Sequence, residues 1–311
     1  MTHALQNLFW ILIFPGFVFT VVLGLVATWI VRKVSALVQW RVGPPFFQPF
    51  YDVVKLMGKE VLIPEAAQRV VFQVAPVVGM AGALLLSTML WRITIDPSRL
   101  FVGDIIVAVY LMVLPSLALI LGSSASASPH ASLGTSREMK LVMGYELSLV
   151  LALIVVLIKS SGQLSLAAIA GQTPVLSISG LLAFLVALFS VQAKLGFVPF
   201  DIAEAETELG SGVLMEYSGA LLAVWKIVHA MLLVGLPLFL VTVFLGGFTG
   251  SVWAGIGKYV LVLVLLILIK NTNPRVRIDQ AMKFFWSYCG LVMAIAIILA
   301  VLGNYYGLNW L

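Results

Sequence analysis

The chain has 311 residues, of which 62% are hydrophobic and 10% charged, with a net charge of +5. Soluble domains carry roughly 45–50% apolar and about 25% charged residues, so an ordinary soluble enzyme and a disordered chain are both excluded. A single cysteine, Cys289, excludes internal disulfides and a cysteine-held iron–sulfur or structural zinc site. A polytopic, all-helical membrane protein remains.

A spanning helix needs about 20 mostly apolar residues, and uncharged apolar runs of that order predict eight spans. The first covers 8–31. No Lys or Arg precedes it, so no cleaved signal peptide is expected. Gly43-Pro44-Pro45 then breaks the helix after Arg41. In the segment 46–63 that follows, Phe50, Val53, Val54, Met57 and Val61 recur at helical spacing, with Asp52, Lys55 and Lys59 on the opposite face. This is an amphipathic helix suited to a membrane surface or a partner, unless it is only a solvated connector with basic anchors.

Spans two and three are predicted at 70–91 and 103–121. The small, polar stretch Ser126–Glu138 reads as a loop, and the fourth span covers 141–158. Glu146, following Tyr145, enters that span, where an ionisable residue is costly and usually functional. The plainer reading puts Glu146 near a helix N-terminus, balanced by Arg137 or Lys140.

The fifth span, 177–199, carries Lys194 one turn from its end. The loop 199–218 holds Asp201, Glu204, Glu206, Glu208 and Glu216 and no Lys or Arg. On a helix Asp201, Glu204 and Glu208 would share a sector of about 60°. Carboxylates so placed raise one another's pKa and hold protons near neutral pH. The structural alternative makes Asp201 an N-cap in a capping-box-like pair with Glu204.

In the sixth span, 219–245, Lys226 and His229 share a face, and with Lys194 they flank the acidic loop. A relay pairing Lys194 or Lys226 with a loop carboxylate competes with plain snorkelling and packing. The seventh and eighth spans fall at 258–270, with an alternative start near Trp253, and at 284–302. Between them Asn271–Gln280 is polar and basic, fit either to dock a soluble partner or to anchor the chain.

Lys and Arg set the orientation. Loops 32–69, 122–140 and 270–283 carry six, two and four, whereas the other side has Arg92, Arg99, Lys159 and Lys258. The richer side is therefore expected in the cytoplasm, with both termini outside. The positive charge is membrane bias rather than a nucleic-acid footprint. No P-loop, dinucleotide fingerprint, metal-ligand spacing or paired haem histidines is visible among His3, His130 and His229. The spans show no inverted repeat with paired broken helices, which disfavours a stand-alone ion-coupled carrier.

Arg41-Val-Gly-Pro-Pro, Gln48-Pro, Asp52, Lys55-Leu, Lys59-Glu60, Tyr145-Glu146-Leu-Ser148, Pro199–Glu208 and Glu216-Tyr-Ser-Gly219 together resemble the NADH dehydrogenase (complex I) H-subunit family, in order from about residue 32 to 283. In the compact first loop Gly43-Pro44-Pro45 runs almost straight into Gln48-Pro49. With Ser128-Pro129 and Arg137-Glu138-Met139, this is similar to the branch in energy-converting membrane-bound nickel–iron hydrogenases, such as formate hydrogenlyase. The resemblance implies one integral membrane domain, 1–311, in a prokaryotic inner membrane. It implies no catalytic centre, metal or cofactor in this chain. Partners would be hydrogenase-like large and small subunits, an iron–sulfur subunit and antiporter-like membrane subunits, with the iron–sulfur and nickel–iron centres in them. Arg41, Gln48, Asp52, Lys55 and Lys59 would face the peripheral module. Glu138 and Glu146 would belong to a buried polar path continuing the acidic loop. Quinone enters only under the alternative reading, a complex I subunit.

Overall fold

The computed structural model describes residues 8–95, 104–205, 208, 210–248, 251–308 and 310–311. All regular structure among them is helical. Seven helices are long and apolar enough to cross a membrane, and an eighth apolar helix of 17 residues joins them. Helices suit such a solvent, since lipid cannot satisfy an unpaired backbone N–H or C=O and a helix pairs them internally.

The first span, Leu8–Val38, is interrupted before Phe17, and its continuous part is α1 (Phe17–Val38). The amphipathic helix α2 (Gln48–Met57) follows, then α3 (Arg69–Ile95) and α4 (Asp104–Ser124). Next come α5 (Pro129–Lys159), a short turn α6 (Leu166–Ala170) and α7 (Ile178–Lys194). Last are α8 (Gly219–Phe244), α9 (Val252–Thr272), α10 (Ile278–Lys283) and α11 (Gly290–Tyr306). Between α10 and α11 the helix widens into a π turn, Phe284–Cys289.

The hub is α8, with 94% of its apolar window buried, against 28% for the first, α9 and α10–α11 spans. It packs on α1, α2, α3, α7 and α9, while α5 binds α4, α7 and α11. The short α7 is closed at its start by the chain end. Ile178 N–H donates to the Trp310 carbonyl at 3.0 Å and Ser179 N–H to that of Leu311 at 3.0 Å. Ser177 Oγ accepts from Gly180 N–H at 3.1 Å, so the orphan donors of this helix are satisfied.

The structure corrects three expectations. The stretch read as a loop before residue 138 is helical from Pro129, which sits at a favoured first-turn position. Its small residues are a packing face: a Cβ at Gly134 would lie 2.8 Å from the Val213 nitrogen. Glu146 is therefore in mid-helix, not near an N-terminus. Segment 201–205 is irregular, so Asp201 caps no helix and the shared helical sector of Asp201, Glu204 and Glu208 does not exist. Finally, the apolar stripe of α2 is split: Val53 is buried, whereas Val54 and Met57 are 67% and 53% exposed. On the polar side Asp52 is half-buried, whereas Lys55 and Lys59 are exposed.

The turn into α8 ties α2 to the hub. Ser218 Oγ accepts from Leu62 N–H at 2.8 Å, and Tyr217 stacks on Phe72 with ring centroids 4.2 Å apart. Gly219 has φ +53°, and a Cβ there would meet the Glu60 carbonyl oxygen at 2.4 Å. Gly219→Ala is thus expected to cost about 1–3 kcal/mol through left-handed strain and overpacking. Thermal melting of the purified protein, together with faster proteolysis around 58–65, measures it.

Candidate functional site

One end of the bundle encloses a cavity of about 730 Å3. Its walls come from the end of α1, the polar face of α2, the middle of α4, the first third of α5, the end of α7 with the loop beyond, the start of α8 and the end of α9. The helices enter and leave on the same side here, which gathers the polar residues that the sequence scatters. Apolar Leu25, Val53, Phe197, Phe200 and Leu233 supply much of the remaining lining.

Asp52, Lys55 and Lys59 line the cavity from α2. Asp52 is held between Arg32, whose Nη1 lies 3.0 Å from Oδ2, and Gln48, whose Nε2 donates to Oδ1 at 2.7 Å. Arg41, also expected on the interface, is exposed and not in the wall. From the acidic loop Asp201 and Glu204 enter the wall, as do Lys194, Lys226 and His229. The His229 ring lies 5.7 Å from that of Phe197, and Lys270 Nζ sits 4.5 Å from the Phe197 ring centre.

Glu138, one of the two α5 carboxylates, opens into the cavity. The other, Glu146, is two turns deeper and forms an ion pair with Lys194, whose side chain is fully buried. Lys194 Nζ also donates to the Met112 carbonyl at 3.1 Å and stands 5.5 Å over the Tyr145 ring. Tyr145, itself buried, shares a hydrogen bond with Ser116 at 3.1 Å. The second oxygen of Glu146 is buried and accepts no hydrogen bond among the described residues. Buried charge, a buried hydroxyl pair and a cavity carboxylate therefore lie in one succession, from Glu204 and Glu138 inward to Glu146.

The pairs found among the described residues differ from the expected pairing of Lys194 or Lys226 with a loop carboxylate. Lys194 takes Glu146, and Asp201 takes Arg275, whose Nη2 lies 2.6 Å from Oδ2. Val276 N–H adds a bond to the Pro199 carbonyl at 3.0 Å. The basic loop after α9, read as a partner dock or an anchor, is an internal clamp on the acidic loop. Glu208 is not in the cavity wall and pairs with Arg137 at 2.8 Å. Rather than being raised by its neighbours, the Glu208 carboxyl is held below its ordinary range by the Arg137 guanidinium. Glu216 lies outside the walls, and Glu206 falls outside the described residues. Tyr217 is a neutral donor to the Phe72 carbonyl at 3.2 Å, with burial pushing its hydroxyl up to about 12. Among the described residues no group of three or more His, Cys, Asp or Glu is placed to hold a metal ion.

In the sequence Arg32, Arg275 and Lys270 stand out only as positive loop charges. Nothing local marks Arg32 as the partner of Asp52, 20 residues on, or Arg275 as the partner of Asp201.

The pairs can be probed in two ways. Lys194→Met leaves a buried carboxylate without its cation and is expected to cost about 3–5 kcal/mol, whereas Lys194→Met with Glu146→Leu recovers most of it. Thermal unfolding of the three proteins in detergent decides this. For Glu208 the folded-state pKa is depressed, so its contribution is complete above the ordinary value of 4.5 and is lost as pH falls through the lowered one. Intrinsic-rate-corrected hydrogen exchange of residues 202–205 and 210–214 should hold steady from neutral pH to about 5 and quicken below it. Arg137→Gln should give the fast exchange at neutral pH.

Comparison with known proteins supplies the family. A family model described as NADH dehydrogenase matches residues 10–301. The H-subunit of NADH-quinone oxidoreductase from Thermomicrobium roseum is 37% identical, with 87% of this chain and 89% of that protein covered. The NADH-quinone oxidoreductase H-subunit 2 of Syntrophobacter fumaroxidans is 35% identical over 83% of this chain and 84% of its own length. Among solved structures, a chain of the membrane-bound sulfane sulfur reductase, an archaeal respiratory membrane complex, superposes with a TM-score of 0.84 at 27% identity. That match covers 96% of this chain and 100% of the other. The long apolar helices agree with these comparisons, and the chain belongs to the NADH dehydrogenase H-subunit family of integral membrane proteins.

Proposed function

We propose that this chain is the membrane anchor and ion-path subunit of an energy-converting respiratory complex, joining a peripheral redox module to the membrane arm. The observation that carries the reading is the single cavity wall that joins the polar face of α2 to Glu204 and Glu138, with the Glu146–Lys194 pair behind them. A redox event beside the cavity mouth changes the field at these groups. Charges paired inside a low-dielectric bundle respond strongly to such a change, and a proton displaced from one carboxylate is taken up by the next.

The compact first loop and the likeness to the sulfane sulfur reductase chain favour the hydrogenase-type branch. In that branch the partners are hydrogenase-like large and small subunits, an iron–sulfur subunit and antiporter-like membrane subunits, which hold the nickel–iron and iron–sulfur centres. Arg41, Gln48, Lys55 and Lys59 then present the membrane side of the junction. The bias of basic residues supports a cytoplasmic cavity end, with both termini on the outer side. A second reading, a quinone-site component of complex I, is favoured by the names of the NADH-quinone oxidoreductase relatives and by a cavity with both charged and apolar lining. Partners co-purifying with nickel support the first reading. Inhibition by a quinone-site ligand at intact assembly supports the second.

The ion path itself is tested at two carboxylates. Glu138→Gln combined with Glu204→Gln should lower ion-gradient formation by the order of 10²-fold, the cost of losing a proton-transfer group, with subunit assembly unchanged. An undiminished gradient in membrane vesicles of the double variant removes Glu138 and Glu204 from the path.

A further inference from the structure

A second pocket, of about 330 Å3, lies at the other end of the bundle. Lys159, which contributes to it, follows Glu138 by 21 residues on α5, a rise of roughly 30 Å that matches the hydrocarbon thickness. The pocket thus sits at the membrane boundary opposite the charged cavity. Its volume falls at the lower end of small-molecule sites, roughly 300–1,000 Å3. Lys159, Gln172, Thr173, Ser177 and Asn304 bring polar groups to it from the end of α5, the segment before α7 and the end of α11.

Charge is one-sided here. Among the described residues Lys159 is the only charged side chain in the wall, and neither an ion pair nor a hydrogen bond engages it there. It is also one of only four Lys or Arg on a side where basic residues are scarce, so mere topogenic bias does not account for it. Snorkelling alone would need no recess lined with amide and hydroxyl donors. The pocket is held in shape: the chain end is hydrogen-bonded across the first turn of α7, and those N–H groups are therefore not available to a ligand. Sequence neighbours of the wall are apolar or aromatic and exposed, with Tyr305 at 81% and Ile178 at 47%, as at a lipid interface.

We propose that this pocket binds a phosphate anion, presented as the headgroup of an anionic phospholipid. Lys159 supplies the charge, Gln172, Thr173 and Asn304 supply donors, and the acyl chains lie along the exposed apolar surface beside them. One lysine near an anionic headgroup favours it by about fivefold.

The test reads amine acylation of Lys159 in the intact complex by peptide mass spectrometry, in phosphatidylglycerol micelles, in phosphatidylcholine micelles, and in phosphatidylcholine with inorganic phosphate. Phosphatidylglycerol is expected to slow acylation of Lys159 about fivefold relative to phosphatidylcholine, with a smaller effect at Lys258, which lies outside the pocket. Asn304→Trp, which fills the pocket and keeps the lysine, should abolish the difference. Equal rates in the two lipids, equal slowing at Lys258, or a difference that survives Asn304→Trp would overturn the proposal. Protection by inorganic phosphate alone, to the same extent, would overturn the lipid as the occupant.

Discussion

The ion pair between Lys194 and Glu146 is the interaction on which the rest of the molecule depends. A charged amine at the end of an apolar helix is costly unless an opposite charge meets it, and removing either partner leaves the other stranded. Lys194 therefore binds α7 to α5, and through the Met112 carbonyl it binds both to α4. Three helices are held at one depth, and the cavity opens above the point where they converge. The same pair that stabilises the packing marks the inner limit of the polar path. Structure and proposed function thus rest on one desolvated contact.

Around it, the loops are clamped rather than free. Arg275 holds Asp201, Arg137 holds Glu208 and the Ile202 carbonyl, and Arg32 holds Asp52. These exposed or half-buried pairs are each worth little on their own. Their effect is geometric: they orient the acidic loop so that Asp201 and Glu204 enter the cavity while Glu208 does not. Helix irregularities assist. In the π turn of Phe284–Cys289 the Phe285 carbonyl accepts from Ser148 Oγ at 3.2 Å, which ties the last span to the middle of α5.

Much of the fold was legible beforehand. Long apolar runs without strand alternation predict helices, because lipid allows the backbone only helices or closed barrels, and the runs near 70–91, 103–121 and 219–245 correspond to α3, α4 and α8. The misreadings share one cause. Small polar residues such as Ser132 and Gly134 resemble a loop to a local rule, but Gly134 is small because the acidic loop packs against it. Likewise the spacing of Asp201, Glu204 and Glu208 invites a helix, whereas the separate cationic partners of Asp201 and Glu208 and the tight packing of residues 203 and 213 against α5 dictate an irregular course.

By itself, the sequence determined the solvent, the helical class, the family and the identity of the polar residues out of place in a membrane. Those properties follow from composition, run length and short motifs, all of which are local along the chain. Only the tertiary structure decided which charge meets which. Arg32 with Asp52, Lys194 with Glu146 and Arg275 with Asp201 are separated by 20, 48 and 74 residues. Coulomb attraction acts across space and carries no trace of sequence distance, so these pairings, and the cavity they shape, emerge only when the helices pack.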